Sequence, residues 1–285
     1  GWGAPDNGCA DGPHAMVARG YLPCFQQHDR SYCPPIHILQ PQDEPDLDPL
    51  QVVTQFCQEL AALSTEQLAN GHFPVILGGD HSCAIGTWSG IHRITQSQGD
   101  LGMIWIDAHM DSHTPATSHS GAIHGMPLAV LMGHGNPHLT HLNGASPSLS
   151  AAHVCLFGVR SFEAEEQQLL ESLGVRVITM QEIQQIGFTT AWQQAVEIAS
   201  RASAGFGISI DLDAIAPDGA PGVGSPQQVG IHADDLLKAL HQIHQRRDVV
   251  ALEITEYNPY HDHNNATAKL MAQLIHALLS EEQTP

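Results

Sequence analysis

Six short apolar runs punctuate the chain: "FPVILGG" at 73–79, "LGMIWID" at 101–107, "AHVCLFGVR" at 152–160, "VRVITM" at 175–180, "GFGISIDLD" at 205–213 and "DVVALEI" at 248–254. They are rich in Val, Ile and Leu and lack a clean apolar/polar alternation, as strands buried on both faces do. Between them lie stretches with helical spacing. Residues 48–70 carry Leu50, Val53, Phe56, Leu60 and Leu63 at that spacing, and 163–173, 190–203, 232–246 and 265–280 are similar. Strands alternating with helices predict a three-layer α/β/α fold around a mostly parallel central sheet. In such sheets ligands bind in the crevice at the carboxyl ends of the strands.

"HDRSYCPPIHILQPQDEPDLDP" at 28–49 is Pro-rich and reads as a surface excursion, and "GHGNPHLTHLNGASPSLS" at 133–150 reads as a second loop. Neither has the length or bias of an interdomain linker, and no internal repeat is visible. A single domain over 1–285 is therefore expected, with ample chain for a sizeable core. The opening "GWGAPDNGCADGP" is made of turn residues and has no Met. It reads as a loop that follows a strand, so a short strand is expected to precede Gly1.

Composition narrows the partners. Ten Lys+Arg stand against thirty Asp+Glu, a net charge of −20 with neutral His. Such a chain repels polyanions, which argues against nucleic acid and anionic membranes. No run is long and apolar enough for a membrane span, and residues 1–20 lack the basic start and apolar stretch of a signal peptide. Cysteines fall at 9, 24, 33, 57, 83 and 155, irregularly and without a C-x-x-C. Free thiols in a reducing cytoplasm are the simplest reading, with a Cys24–Cys33 disulfide left open.

Three segments carry chemistry, each at the end of an expected strand: Gly78-Gly79-Asp80-His81-Ser82, Asp107-Ala108-His109-Met110-Asp111 and Ser209-Ile210-Asp211-Leu212-Asp213. On an extended backbone alternate residues share a face, so Asp107, His109 and Asp111 can converge, as can Asp211 and Asp213. Taken singly, each has an ordinary explanation: an Asp after a strand is usually a turn former or helix cap, and a His after two Gly a loop residue. Together they are harder to explain. Four carboxylates in one crevice repel and resist ionising, and a pair of divalent cations removes that conflict. Four Asp and two His make an oxygen-rich site, which suits Mn²⁺ better than thiolate-bound Zn²⁺.

The motifs "GGDHS", "DAHMD", "SGAIHGMPLA", "SIDLDAIAPDGAPGVGSP" and "EYNP" follow one another over most of the chain. In that order they resemble the ureohydrolase family of arginase, agmatinase, guanidinobutyrase and formimidoylglutamase, closest to bacterial arginase. The resemblance implies one Mn²⁺ held by His81, Asp107, Asp111 and Asp211, and a second held by His109, Asp107, Asp211 and Asp213. Asp107 and Asp211 would bridge the pair, and a hydroxide between the ions would be the nucleophile. His124 matches the family's proton-shuttling histidine, and Glu256 the acid that pairs with the substrate guanidinium. Asp111 is counted with these two as catalytic. Glu253 is a rival to Glu256 by sequence, but it precedes the motif and is expected to face elsewhere. The resemblance also implies a homo-oligomer, a trimer or hexamer.

Departures from the family bear on the substrate. Two Asn that help hold the α-carboxylate in arginases are His113 and Ala122 here. Ser118 and Ser120 keep hydroxyls nearby, His113 retains a donor, and Glu163 stands where an Asp binds the α-amino group. Ala216 replaces the usual Asp before Pro217, as formimidoylglutamases also depart there. The long loop "HTPATSHSGAIHGMPLA" is arginase-like, so hydrolysis of L-arginine to ornithine and urea is the leading expectation. Guanidinobutyrate, agmatine or formimidoylglutamate are alternative substrates. A non-catalytic binding homologue and a single-zinc deacetylase are the readings from other classes. His241 with His244, and His261 with His263, are expected to be solvated, and Cys83 to be packing.

Overall fold

The computed structural model describes residues 1–22, 36–41, 48–142, 144 and 147–280. Within them each apolar run marks one strand: β1 (Val75–Leu77), β2 (Gly102–Ile106), β3 (Val154–Val159), β4 (Arg176–Thr179), β5 (Phe206–Asp211) and β6 (Val249–Thr255), the last extending one residue past its run. They form one sheet, ordered β1-β6-β5-β2-β3-β4, in which every pairing is parallel. The expected α/β architecture is present, and the sheet is wholly parallel. From β2 the chain moves outward through β3 to β4, then crosses back to β5 and moves outward the other way. The boundary between β2 and β5 is therefore a topological switch point, where a crevice opens beyond the strand ends.

The helices among the described residues are α1 (Gly12–Ala18), α2 (Pro49–Ala69), α3 (Ala84–Thr95), α4 (Pro127–Leu131), α5 (Pro137–Thr140), α6 (Ala164–Leu173), α7 (Met180–Ile186), α8 (Phe188–Ala199), α9 (Ala233–Gln242) and α10 (Ala266–Leu279). Alternate strand residues feed two cores. Ile104, Ile106, Phe157, Ile208, Ile210, Leu252 and Ile254 pack with Trp192 of α8, Leu236 of α9 and Leu274 of α10. Met103, Trp105, Leu156 and Ala251 face the other way, towards Trp88 of α3, Leu128 of α4 and Leu170 of α6. The five helices expected from periodicity are α2, α6, α8, α9 and α10.

Helix α3 was not legible, and its packing explains why. It is buried nearly all round, so it has no polar face to set a period. Gly86 and Gly90 let it touch α2 backbone to backbone: a Cβ on Gly90 would stand 2.4 Å from the Ala61 carbonyl oxygen. The expected loop at 133–150 holds the single turn of α5. Cys24, Cys33 and much of the Pro-rich segment lie outside the described residues, whereas Cys9, Cys57, Cys83 and Cys155 are buried free thiols.

Candidate active site

The three motifs follow β1, β2 and β5; β2 and β5 flank the switch point, and β1 lies beyond β6. After β1, Gly78 admits the chain past Cys83, whose sulfur would lie 2.4 Å from a Cβ there. Asp80 then caps the turn at 81–83 through the Ser82 amide. This turn delivers His81, which is buried and stacked on Trp105 at 4.3 Å between ring centroids. Its Nδ1 lies 3.2 Å from Asp107 Oδ2, 3.0 Å from Asp111 Oδ2 and 3.3 Å from Asp211 Oδ2. His109 Nδ1 lies 3.0 Å from Asp213 Oδ2 and 3.6 Å from Asp107 Oδ1. Two ligand sets thus meet at Asp107: His81, Asp107 and Asp211 on one side, and His109, Asp107 and Asp213 on the other.

The side chains converge by a route other than the one their spacing suggested. Strand β2 ends at Ile106, and 107–111 is a coiled loop rather than extended chain. Asp111 takes a left-handed conformation, with φ +48°, which L-residues adopt rarely. The loop is held from inside: Asp107 Oδ1 accepts from the His109 amide at 2.7 Å, and Oδ2 from the Trp105 indole at 3.0 Å. Likewise Asp211 ends β5 and caps the following turn by accepting from the Asp213 amide at 2.8 Å.

The electrostatics fit a cation. Burial raises the pKa of Asp211, and Asp213 and Asp107 raise it further. Burial and Asp107 push Asp111 up to about 6. Burial opposes charge on the imidazoles, yet the carboxylates outweigh it, taking His109 up to about 12 and His81 well above its ordinary value. The cluster draws positive charge to itself. His81 Nδ1 and Asp111 Oδ2 are buried, close together and without hydrogen-bond partners. Neighbouring ligands of an octahedral ion with bonds of about 2.1 Å stand roughly 3 Å apart, which is the spacing found here.

Beside this cluster, Glu256 and His124 meet. Glu256 also has positive φ, +64°, and is buried. Its Oε1 accepts from the His81 amide at 2.8 Å and lies 3.2 Å from His124 Nδ1, while its Oε2 accepts from the Cys9 thiol at 3.2 Å. Burial works against charge on His124, but this carboxylate prevails and lifts its pKa to about 9.

The expected substrate contacts stand on a loop closed at both ends. The His113 amide bonds to the Gly125 carbonyl at 3.0 Å, and the Leu128 amide to the Asp111 carbonyl at 2.9 Å. His113 Nδ1 lies 3.1 Å from Thr117 Oγ1, and Nε2 3.1 Å from Glu163 Oε2. Ser118 and Ser120 accept from the Gly121 and Ala122 amides, so both hydroxyls shape the loop. Glu163 is exposed and caps α6 in a reciprocal pair with Glu166. Glu166 was missed by sequence reasoning, in which it is one more helix acid. Burial pushes it up to about 8, and it accepts from the Ser112 amide at 3.1 Å.

Other residues were also missed. The Arg160 guanidinium donates to the carbonyls of Asp213 at 2.6 Å and Ala214 at 3.2 Å, bracing the turn that carries Asp213. Glu253 faces away from Glu256, as expected, and is fully buried against Ser209 and Trp88. His241 and His244 are stacked and half-buried rather than solvated. His261 bonds to the Val223 carbonyl through Nδ1.

Known proteins share this architecture. The family model described as Arginase family matches residues 2–280. Arginase from Bacillus caldovelox is 36% identical over 244 residues, covering 86% of this chain and 81% of that protein. Arginase from Brevibacillus brevis is 34% identical over 288 residues, covering 98% and 95%. The crystal structure of arginase from Bacillus subtilis superposes with a TM-score of 0.88 at 32% identity, covering 100% of this chain and 96% of that one. With the acidic cluster at the switch point and likeness running almost from end to end, the chain belongs to the arginase family, hydrolases of linear amidines.

Proposed function

We propose that the chain hydrolyses the guanidino group of L-arginine to L-ornithine and urea, using two Mn²⁺ per chain. The observation that carries this is the convergence of His81, Asp107, His109, Asp111, Asp211 and Asp213 beside the Glu256–His124 pair. Four carboxylates and two imidazoles match a hard or borderline dication. His81, Asp107, Asp111 and Asp211 would hold one ion, and His109, Asp107, Asp211 and Asp213 the other. Bound there, the pair would supply a water activated at neutral pH for attack on the guanidinium carbon.

The chain's own groups do the rest. Glu256 offers its carboxylate to the planar guanidinium. With Nδ1 of His124 held by Glu256, Nε2 is the nitrogen that hands a proton to the departing amine as the C–N bond breaks. Glu163 receives the α-amino group, while His113, Ser118 and Ser120 offer donors to the carboxylate. Likeness to bacterial arginases over most of the chain favours arginine. The His113–Glu163 contact favours a second reading, because it engages the same two groups that an amino acid needs. Agmatine, guanidinobutyrate and formimidoylglutamate are its candidates.

A substrate panel with Mn²⁺, following urea, ammonia and formamide, tests both. Arginine is expected to show the highest kcat/KM; turnover of another compound at least about tenfold better would displace it. Metal analysis after dialysis should find two manganese per chain, against one zinc for a deacetylase-like site or none for a binding homologue. A trimer or hexamer is the assembly to look for by light scattering. Among the described residues no helix is long and apolar enough to cross a membrane. The four buried free thiols suit a reducing cytoplasm.

A further inference from the structure

Behind the metal-facing side of His81 runs a buried polar chain. Ser209 of β5 and Glu253 of β6 are paired in register, and Trp105 of β2 pairs with Ser209 on its other side. All three are fully buried. Ser209 Oγ stands 3.0 Å from His81 Nε2 and donates to Glu253 Oε2 at 2.8 Å. The Trp88 indole donates to the same oxygen at 2.9 Å, and the Cys83 thiol to Oε1 at 3.7 Å.

We propose that Ser209 and Glu253 are positioning residues that set the tautomer of His81 and tighten its grip on one of the two ions. The inference rests on the two-ion reading and deepens it. Proton accounting fixes the direction. An indole N–H can only donate, so Glu253 accepts from Trp88; Ser209 has one proton, and it goes to Glu253. Ser209 must then accept from His81, so Nε2 carries the imidazole proton. A ring that ligates a cation is neutral and has only this proton, which leaves a lone pair on Nδ1. That lone pair points among Asp107, Asp111 and Asp211, where the cation would sit. A carboxylate at the far end of such a chain orients a ligand histidine and raises its basicity. His109 is differently placed: its Nε2 meets Gln227, and its side chain is 27% exposed. The relay therefore distinguishes the two metal positions.

The test is Mn²⁺ titration of chelator-stripped protein by calorimetry, with electron paramagnetic resonance to separate spin-coupled pairs from isolated ions. In Ser209→Ala, one site should weaken roughly 10–100-fold while the other stays within about threefold. At Mn²⁺ levels that pair the ions in the wild type, the variant should show an isolated-ion spectrum. Glu253→Gln keeps an oxygen for Ser209 and Trp88 but removes the charge, and should weaken the same site. It also carries the test should Ser209→Ala fail to fold. Ser209→Thr, which restores the hydroxyl, should recover tight binding. Equal weakening of both sites, or of neither, would overturn the proposal, as would a loss in Ser209→Ala that Glu253→Gln does not share. A wild type that binds fewer than two Mn²⁺ would instead overturn the two-ion reading.

Discussion

Replacing Glu256 with Gln removes the charge that keeps His124 protonated while leaving its shape. The His124 side chain is only 25% exposed, and its pKa rises from 6.5 to about 9 in the fold. Burial alone would lower it, so the hydrogen bond and charge of Glu256, helped by Asp111 and Asp80, supply the rise. A shift of that size corresponds to about 3 kcal/mol. Because the folded pKa is the higher one, this contribution is fully present below about pH 6.5 and is lost as pH rises through about 9. The measurement is urea denaturation of chelator-stripped protein between about pH 6 and about pH 9.5, wild type against Glu256→Gln. His81 and His109 titrate in both proteins and drop out of the difference; Glu256 also acts on the Gly1 amine, Cys9, Asp211 and Asp213, so the titration of His124 itself carries the assignment. The wild type should lose about 2 kcal/mol more than the variant over that range. Imidazole NMR should show the His124 pKa falling towards 6.5 in the variant. Parallel stability curves, or an unmoved His124, would refute the account of how this proton is held.

Asp211→Asn relieves a buried carboxylate whose ionisation is opposed by burial, Asp213 and Asp107. The metal-free variant should melt no lower than wild type at about pH 8, where the native acid would be pressed to ionise, yet bind less than one Mn²⁺ per chain by metal analysis. Gly90→Ala forces α2 and α3 apart against the Ala61 carbonyl. Overpacking set against the helix-propensity gain leaves a loss of about 1–2 kcal/mol, read as a fall in Tm of roughly 2–6 °C. His113→Asn frees Glu163 and supplies an amide for a carboxylate. Steady-state kinetics should show KM for arginine falling several-fold with kcat little changed, whereas an unchanged or higher KM would count against His113 as a substrate contact.

The strands were legible because runs such as "LGMIWID" and "GFGISIDLD" are buried on both faces and say so in Val, Ile and Leu. Helix α3 was hidden because burial on all sides erases the period by which helices are recognised. The six clustered side chains were legible as residue types at strand ends, but the backbone that gathers them was not. Asp111 reaches His81 through a left-handed turn that no spacing rule foretells. The task of Glu253 is hidden in the sequence, since one acid in "VVALEIT" gives no sign of the serine opposite it on the next strand. Glu166 is hidden for a related reason: only tertiary contact with the Ser112 amide separates it from solvent-facing acids.

The clasp formed by the His113–Gly125 and Asp111–Leu128 bonds has an evolutionary consequence. It ties the two ends of the 113–125 segment to each other and to the turn at Asp111, while the stretch from 114 to 122 makes its own local turns. Residues 114–122 can be exchanged without disturbing the clustered acids and imidazoles or the His124–Glu256 pair. Related hydrolases can thus alter what this loop presents by rewriting those nine positions, leaving the site beneath it in place.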